Sequence, residues 1–142
     1  MKNARRQSRE LALQALYAWQ ISGGDPVGEA RGLEGFDREE HAFAESLVLG
    51  VRDRVEELQG HIVPHLDREL TRLSPVERSI LYIGTFELLA HPETPFKVVI
   101  NEAIELGKSF GGAQGHRFVN GVLEKIAMHV RPDEVARTRN PA

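Results

Sequence analysis

The side chains with the most chemical potential in this 142-residue chain stand at its start. Lys2, Arg5, Arg6 and Arg9 crowd the opening of an apolar segment that reads MKNARRQSRELALQALYAWQ. Guanidinium groups fork onto phosphate or carboxylate oxygens, stack on bases and stay charged at any relevant pH. Their position is electrostatically awkward, because the N-terminal end of a helix is already positive. Such a cluster requires an anion from outside the helix. Arg6, Arg9, Leu13, Tyr17 and Gln20 follow one another at helical spacing and form a mixed stripe. Its basic end suits RNA. Its apolar end suits either a protein partner or the second half of the same chain.

Other candidates carry less. His61 and His65 have the spacing of two metal-binding imidazoles on a helix. A proline lies between them, however, with no glutamate and no third ligand, so no metal is expected. Glu102 and Glu105 read as a solvated pair balanced by Lys97 or Lys108. Glu87 falls among Val76, Ile80 and Ile83, so it is expected to be buried against an Arg or Lys. The run Gly111 to His116 lacks the GK[ST] ending of a phosphate loop, and no strand precedes it. Around it, Phe110, His116, Arg117 and Phe118 supply the rings and cations that hold splayed bases, although both phenylalanines also fit core stripes. No nucleophile elbow or dinucleotide motif is present, so neither catalysis nor a cofactor is expected.

The elements that must position these residues are helical throughout. Leu11, Ala12, Ala15, Leu16, Ala18 and Trp19 predict a helix over 7–21. Residues 22–42 are Gly- and acid-rich without a period and predict a long mobile loop. A second helix runs from Phe43 to Ile62, followed by a short third one carrying Leu66, Leu70 and Leu73. Ser74-Pro75-Val76-Glu77 is a capping box with proline at the first helical position. The helix it opens is apolar nearly all round and is expected to be the central buried element. Thr94-Pro95 restarts a helix with Val99, Ala103, Leu106 and Phe110 on one stripe, and a last helix carries Val119, Val122, Leu123 and Ile126. After Arg131-Pro132 a frayed tail is expected. No alternating strand pattern occurs.

Composition agrees with a globular domain, at 41% hydrophobic and 27% charged residues. The net charge of −3 hides an asymmetry between the basic start and the acids between Asp25 and Glu45. Zero cysteines exclude disulfides and thiol chemistry. With no apolar run of membrane-spanning length and no secretory pattern, a cytoplasmic protein is expected.

The pattern Arg5-Arg6-x-x-Arg9-Glu10-x-Ala12-x-Gln14-Ala15-Leu16-Tyr17-x-Trp19-Gln20, with PFKVVINEAIELGKSFG and HRFVNGVLEKI, resembles the NusB family of bacterial transcription antitermination factors. The resemblance spans nearly the whole chain and is weakest in residues 22–42 and the last dozen. It implies an all-α fold of two small helical bundles sharing a central buried helix. One domain over 1–142 is expected, with halves 1–73 and 74–131 and a tail 132–142. It implies no catalysis, but binding of boxA RNA together with NusE, a small-subunit ribosomal protein. That pair would join an antitermination complex on RNA polymerase, notably in ribosomal RNA transcription. Some relatives form homodimers that hide the RNA surface. Carried over by position, Arg5, Arg6 and Arg9 should contact RNA, with Phe110, Gln114, Arg117 and Phe118 as the second RNA-contacting region. Tyr17 and Glu77 should face NusE. Gln7 and Ser8 stand where relatives can carry further arginines, and Gln114 where the family often has an acid. These departures bear on affinity rather than on function. The competing readings are a pure protein-interaction module, and a fragment of an RNA methyltransferase, for which the chain lacks any cofactor-binding region.

Overall fold

The computed structural model describes residues 3–36, 38, 41–110 and 115–139. Among these residues there is no strand, and eight α-helices follow one another. Helix α1 (Ala4–Ser22) starts where the Asn3 side chain accepts a hydrogen bond from the Arg6 amide at 2.7 Å. It ends at Gly23, whose left-handed φ of 73° lets its amide donate back to the Trp19 carbonyl.

The segment expected to be a mobile loop instead holds helix α2 (Pro26–Arg31). Asp25 caps it through the Val27 amide, and proline occupies its first turn. Val27 and Ala30, with Phe36 beyond, are buried, so three apolar side chains tie down a stretch whose glycines mask its start signal. The single helix expected from Phe43 to Ile62 is interrupted at Arg54 (φ −121°, ψ 19°), giving α3 (Ala42–Asp53) and α4 (Val55–Ile62). The expected third helix shrinks to a 3-10 turn, Leu70–Arg72.

Helix α5 (Pro75–Ala90) opens with the capping box the sequence announces. The Glu77 amide donates to the Ser74 hydroxyl at 3.1 Å, and the Ser74 amide donates to the Glu77 carboxylate at 3.3 Å. Every residue from Ser79 to Leu88 is buried. Helix α5 packs against α1, α3 and α4, and also against α6 (Phe96–Phe110) and α7 (Gly115–Val130). Its approach to α3 is close enough that a methyl group at Gly50 would overlap the Phe86 ring. Only glycine fits between these two helices.

The tail expected to fray is helix α8 (Pro132–Arg139), with Val135 buried. Arg131, just before it, is buried and closes the C-terminal end of α5. Its guanidinium donates to the carbonyls of Glu87, Leu88, His91 and Thr94 at 3.1, 2.9, 2.8 and 2.6 Å. A helix end leaves carbonyls without internal partners, and here one side chain from 40 or more residues away supplies several donors at once. Glu134 pairs with Arg131 and also accepts from the first amide of α6, Phe96, at 2.7 Å. One arginine and one glutamate thus staple α8 to both neighbouring helix ends. Arg131→Ala should therefore lower unfolding stability by about 3 kcal/mol, since it strands several buried carbonyls. Urea denaturation followed by far-UV circular dichroism measures this, and a drop under about 0.5 kcal/mol would mean that water replaces the guanidinium.

Candidate nucleic-acid interface

The three arginines of the first turns of α1 do not share one fate. Arg9 is turned inward. Its Nε and Nη2 donate to the two carboxylate oxygens of Glu87 at 2.9 and 2.8 Å, a bidentate pair with side-chain exposures of 5% and 1%. This is the cation that a buried Glu87 requires. In the free chain this guanidinium, expected from the resemblance to contact RNA, is committed to Glu87 and keeps 5% side-chain exposure.

Arg5 and Arg6 remain at the surface. The Arg5 guanidinium lies 4.0 Å from the centre of the Phe43 ring, a cation–π contact, and Arg5 is exposed. Phe43, a core position by its spacing, thus has a second role that its spacing does not show. Arg6 donates from Nε and Nη2 to Glu102 at 3.1 and 3.3 Å and keeps 39% side-chain exposure. That hydrogen bond, with the charges of Glu102, Glu105 and Glu10, holds Arg6 above the ordinary arginine pKa. Glu102 also lies 3.9 Å from Arg9, so it sits between two arginines rather than facing Lys97 or Lys108. Glu105 does pair with Lys108, at 3.6 Å.

A small cleft of about 150 Å³ between α1 and α6 is lined by Arg6, Arg9, Glu102, Leu106 and Ser109 among others. Its lining residue Ser109 is next in sequence to Phe110, which is 37% exposed. Arg117, on the first turn of α7, is exposed. Phe118 is half-buried, with the guanidinium of Arg68 stacked 4.9 Å from its ring centre, a pairing no sequence pattern announces. Gln114 lies outside the described residues.

The mixed stripe on α1 is mostly covered by the chain itself. Leu13 is buried, and the Gln20 amide donates to the Ser79 hydroxyl at 2.6 Å and to the Pro75 carbonyl at 3.2 Å. Only Tyr17, 43% exposed, and Ile21 beyond it face outward as large apolar groups of α1. The bonds of Gln20 draw the end of α1 that carries Tyr17 against the first turn of α5, which carries Glu77. His65 does not pair with His61 but stacks on His129, ring centres 5.2 Å apart. Burial pushes the His65 pKa down, helped by the charges of His129, Lys125 and His61.

Residues 6–128 match the model of the NusB family. The chain belongs to the NusB family. The transcription antitermination protein NusB of Paraburkholderia phytofirmans is 48% identical over 142 residues, 98% of this chain and 99% of its own length. That of Dechloromonas aromatica is 49% identical over 138 residues, covering 95% and 85%. Among solved structures, T. maritima NusB superposes with a TM-score of 0.84 at 30% identity, over 96% of this chain and 99% of that one. A crystal structure of the antitermination factors NusB and NusE in complex with dsRNA gives a TM-score of 0.79 at 27% identity, over 91% and 99%. As a NusB protein the chain is a transcription antitermination factor and not an enzyme. Among the described residues no helix is long and apolar enough to cross a membrane.

The division of labour between the arginines is measurable in the isolated protein. Arg9→Ala leaves Glu87 buried without its cation and should reduce stability by about 3–5 kcal/mol, whereas Arg9→Met combined with Glu87→Leu should recover most of that stability. Urea unfolding of the three proteins checks it. If the single variant is as stable as the parent, the pair does not hold α1 to α5.

Proposed function

We propose that this chain binds boxA RNA together with NusE in the cytoplasm and joins the antitermination complex on RNA polymerase, including during ribosomal RNA transcription. The observation that supports this reading best is the arrangement at the start of α1. Arg5 is supported on Phe43 and Arg6 lines the cleft between α1 and α6, while Arg9 holds the helix to Glu87. A surface of this kind meets a polyanion with two guanidiniums and then offers rings to bases. The solved structure of NusB with NusE and dsRNA adds support from a relative.

In this mechanism Arg5 and Arg6 supply phosphate attraction, which fixes position without reading sequence. Phe110 and Arg117, with Gln114, contact unstacked bases, which is how single-stranded RNA is usually read. Phe118 contributes through its edge, since Arg68 occupies its face. Tyr17 and Glu77 face NusE, at the junction of α1 and α5. Neither protein alone buries enough RNA for tight binding, so recognition is shared. A homodimer over the start of α1 would exclude RNA.

Fluorescence anisotropy with a single-stranded boxA oligonucleotide tests this. NusE should tighten binding. Arg5→Ala with Arg6→Ala should weaken it and flatten the log–log salt dependence by about 0.7 for each phosphate no longer neutralised. Tyr17→Ala should remove the gain from NusE and leave the salt slope of the chain alone unchanged. Absence of any gain on adding NusE, or wild-type binding by the double arginine variant, would contradict the proposal.

A further inference from the structure

Arg6 is the more exposed of the two arginines that line the cleft, yet it is already occupied. The Nε–Nη2 edge of its guanidinium is bound by both oxygens of Glu102, in the side-on geometry that a phosphate would also use. Glu102 is itself well fixed. Its side chain is only 13% exposed, and behind it stands Arg9, 3.9 Å away and locked in turn to Glu87. Charges therefore alternate from the surface inward: Arg6, Glu102, Arg9, Glu87. This series is asymmetric in what holds each member. Arg9 and Glu87 cannot leave without stranding a buried charge. Arg6 can, because it is a long, partly solvated side chain on the first turns of α1, and Glu102 keeps Arg9 when Arg6 departs.

From this geometry we infer that Glu102 acts as an internal phosphate mimic, occupying Arg6 in the free chain and releasing it to RNA on binding. The inference rests on the RNA-binding reading and deepens it. Glu102 itself touches no RNA. It sets affinity through Arg6, so every binding event exchanges one anion for another on the same guanidinium edge. The exchange lowers the net gain from the Arg6 interaction and penalises weak, delocalised contacts more than a well-placed phosphate.

The alternative role for Glu102 is to hold Arg6 ready for RNA, and the two roles predict opposite signs. Under competition, Glu102→Gln should tighten binding of single-stranded boxA RNA in the presence of NusE by about two- to fivefold, the range expected for release of a partly exposed ion pair. Where Arg6 takes a phosphate more fully than it does beside Glu102, the salt slope should steepen, by up to about 0.7. Glu102→Ala, which leaves no acceptor at all, should act in the same direction. In an Arg6→Ala background neither change at Glu102 should alter affinity. Weaker or unchanged binding by both Glu102 variants, with melting curves showing them folded, overturns the inference. So does a gain that persists without Arg6, since that would be a general field effect. If Arg5→Ala with Arg6→Ala binds RNA as the parent does, the RNA reading itself has failed. If that variant no longer binds RNA and the Glu102 variants gain nothing, only the competition between Glu102 and RNA has failed.

Discussion

Glu87 lies inside a helix that is buried over every residue from Ser79 to Leu88, and that buried stretch contains no cation to neutralise it. A carboxylate there is tolerable only with a cation brought to it, hydrogen-bonded on both oxygens. Arg9 provides this, and in doing so fixes the rotation of α1 about its own axis and its position along α5. Once Arg9 points inward, helical geometry determines the rest of α1. Ala12, Leu13 and Leu16 follow it into the core, Tyr17 is left facing out, and Arg5 and Arg6 emerge on either side of the buried pair. The pair is thus less a source of stability than a means of specifying one arrangement in which a basic helix start is presented to solvent.

A second buried arginine acts at the same C-terminal end of α5, where Arg131 donates to the Glu87 carbonyl itself. Arg131 satisfies the terminal carbonyls, and Glu134 bridges from it to the start of α6. Before these charged anchors the contacts of α5 are close-packed, with Gly50 admitting the Phe86 ring and Gly84 admitting Leu123. Two buried arginines at the C-terminal end of one helix set its neighbours, and the helices so placed carry the arginines, rings and tyrosine of the proposed RNA and NusE surfaces.

How much of this is legible in the sequence depends on how local each cause is. The capping box at Ser74 and Glu77 is complete within four residues, and the structure reproduces it in detail. The burial of Glu87 and its need for a cation can be read from helical spacing alone. The identity of that cation cannot, because Arg9 lies 78 residues away and its type equally fits a surface phosphate ligand. Helices α2 and α8 escape a sequence reading for a related reason. Each is short and polar in composition, and each is held by a few anchoring side chains, Val27, Ala30 and Phe36 in one case and Arg131 and Val135 in the other. Periodicity shows that Leu13 and Tyr17 share a stripe but not that only the first is buried. In the candidate interface, the arginines and rings are found by type. Their supports, Phe43 under Arg5 and Arg68 over Phe118, are not, since a ring beneath a cation leaves no mark in sequence.

Neighbouring arginines on one helix are thus placed differently, Arg9 locked to Glu87, and Arg5 and Arg6 at the surface proposed to meet RNA. The arginine Nε–Hε resonances in a 15N-correlated NMR spectrum report on each guanidinium separately. On titration with boxA RNA in the presence of NusE, the Arg5 and Arg6 signals should shift, while the Arg9 signal should stay in place and remain protected from exchange. A shift or loss of protection at Arg9, with Arg5 and Arg6 unmoved, would contradict the account.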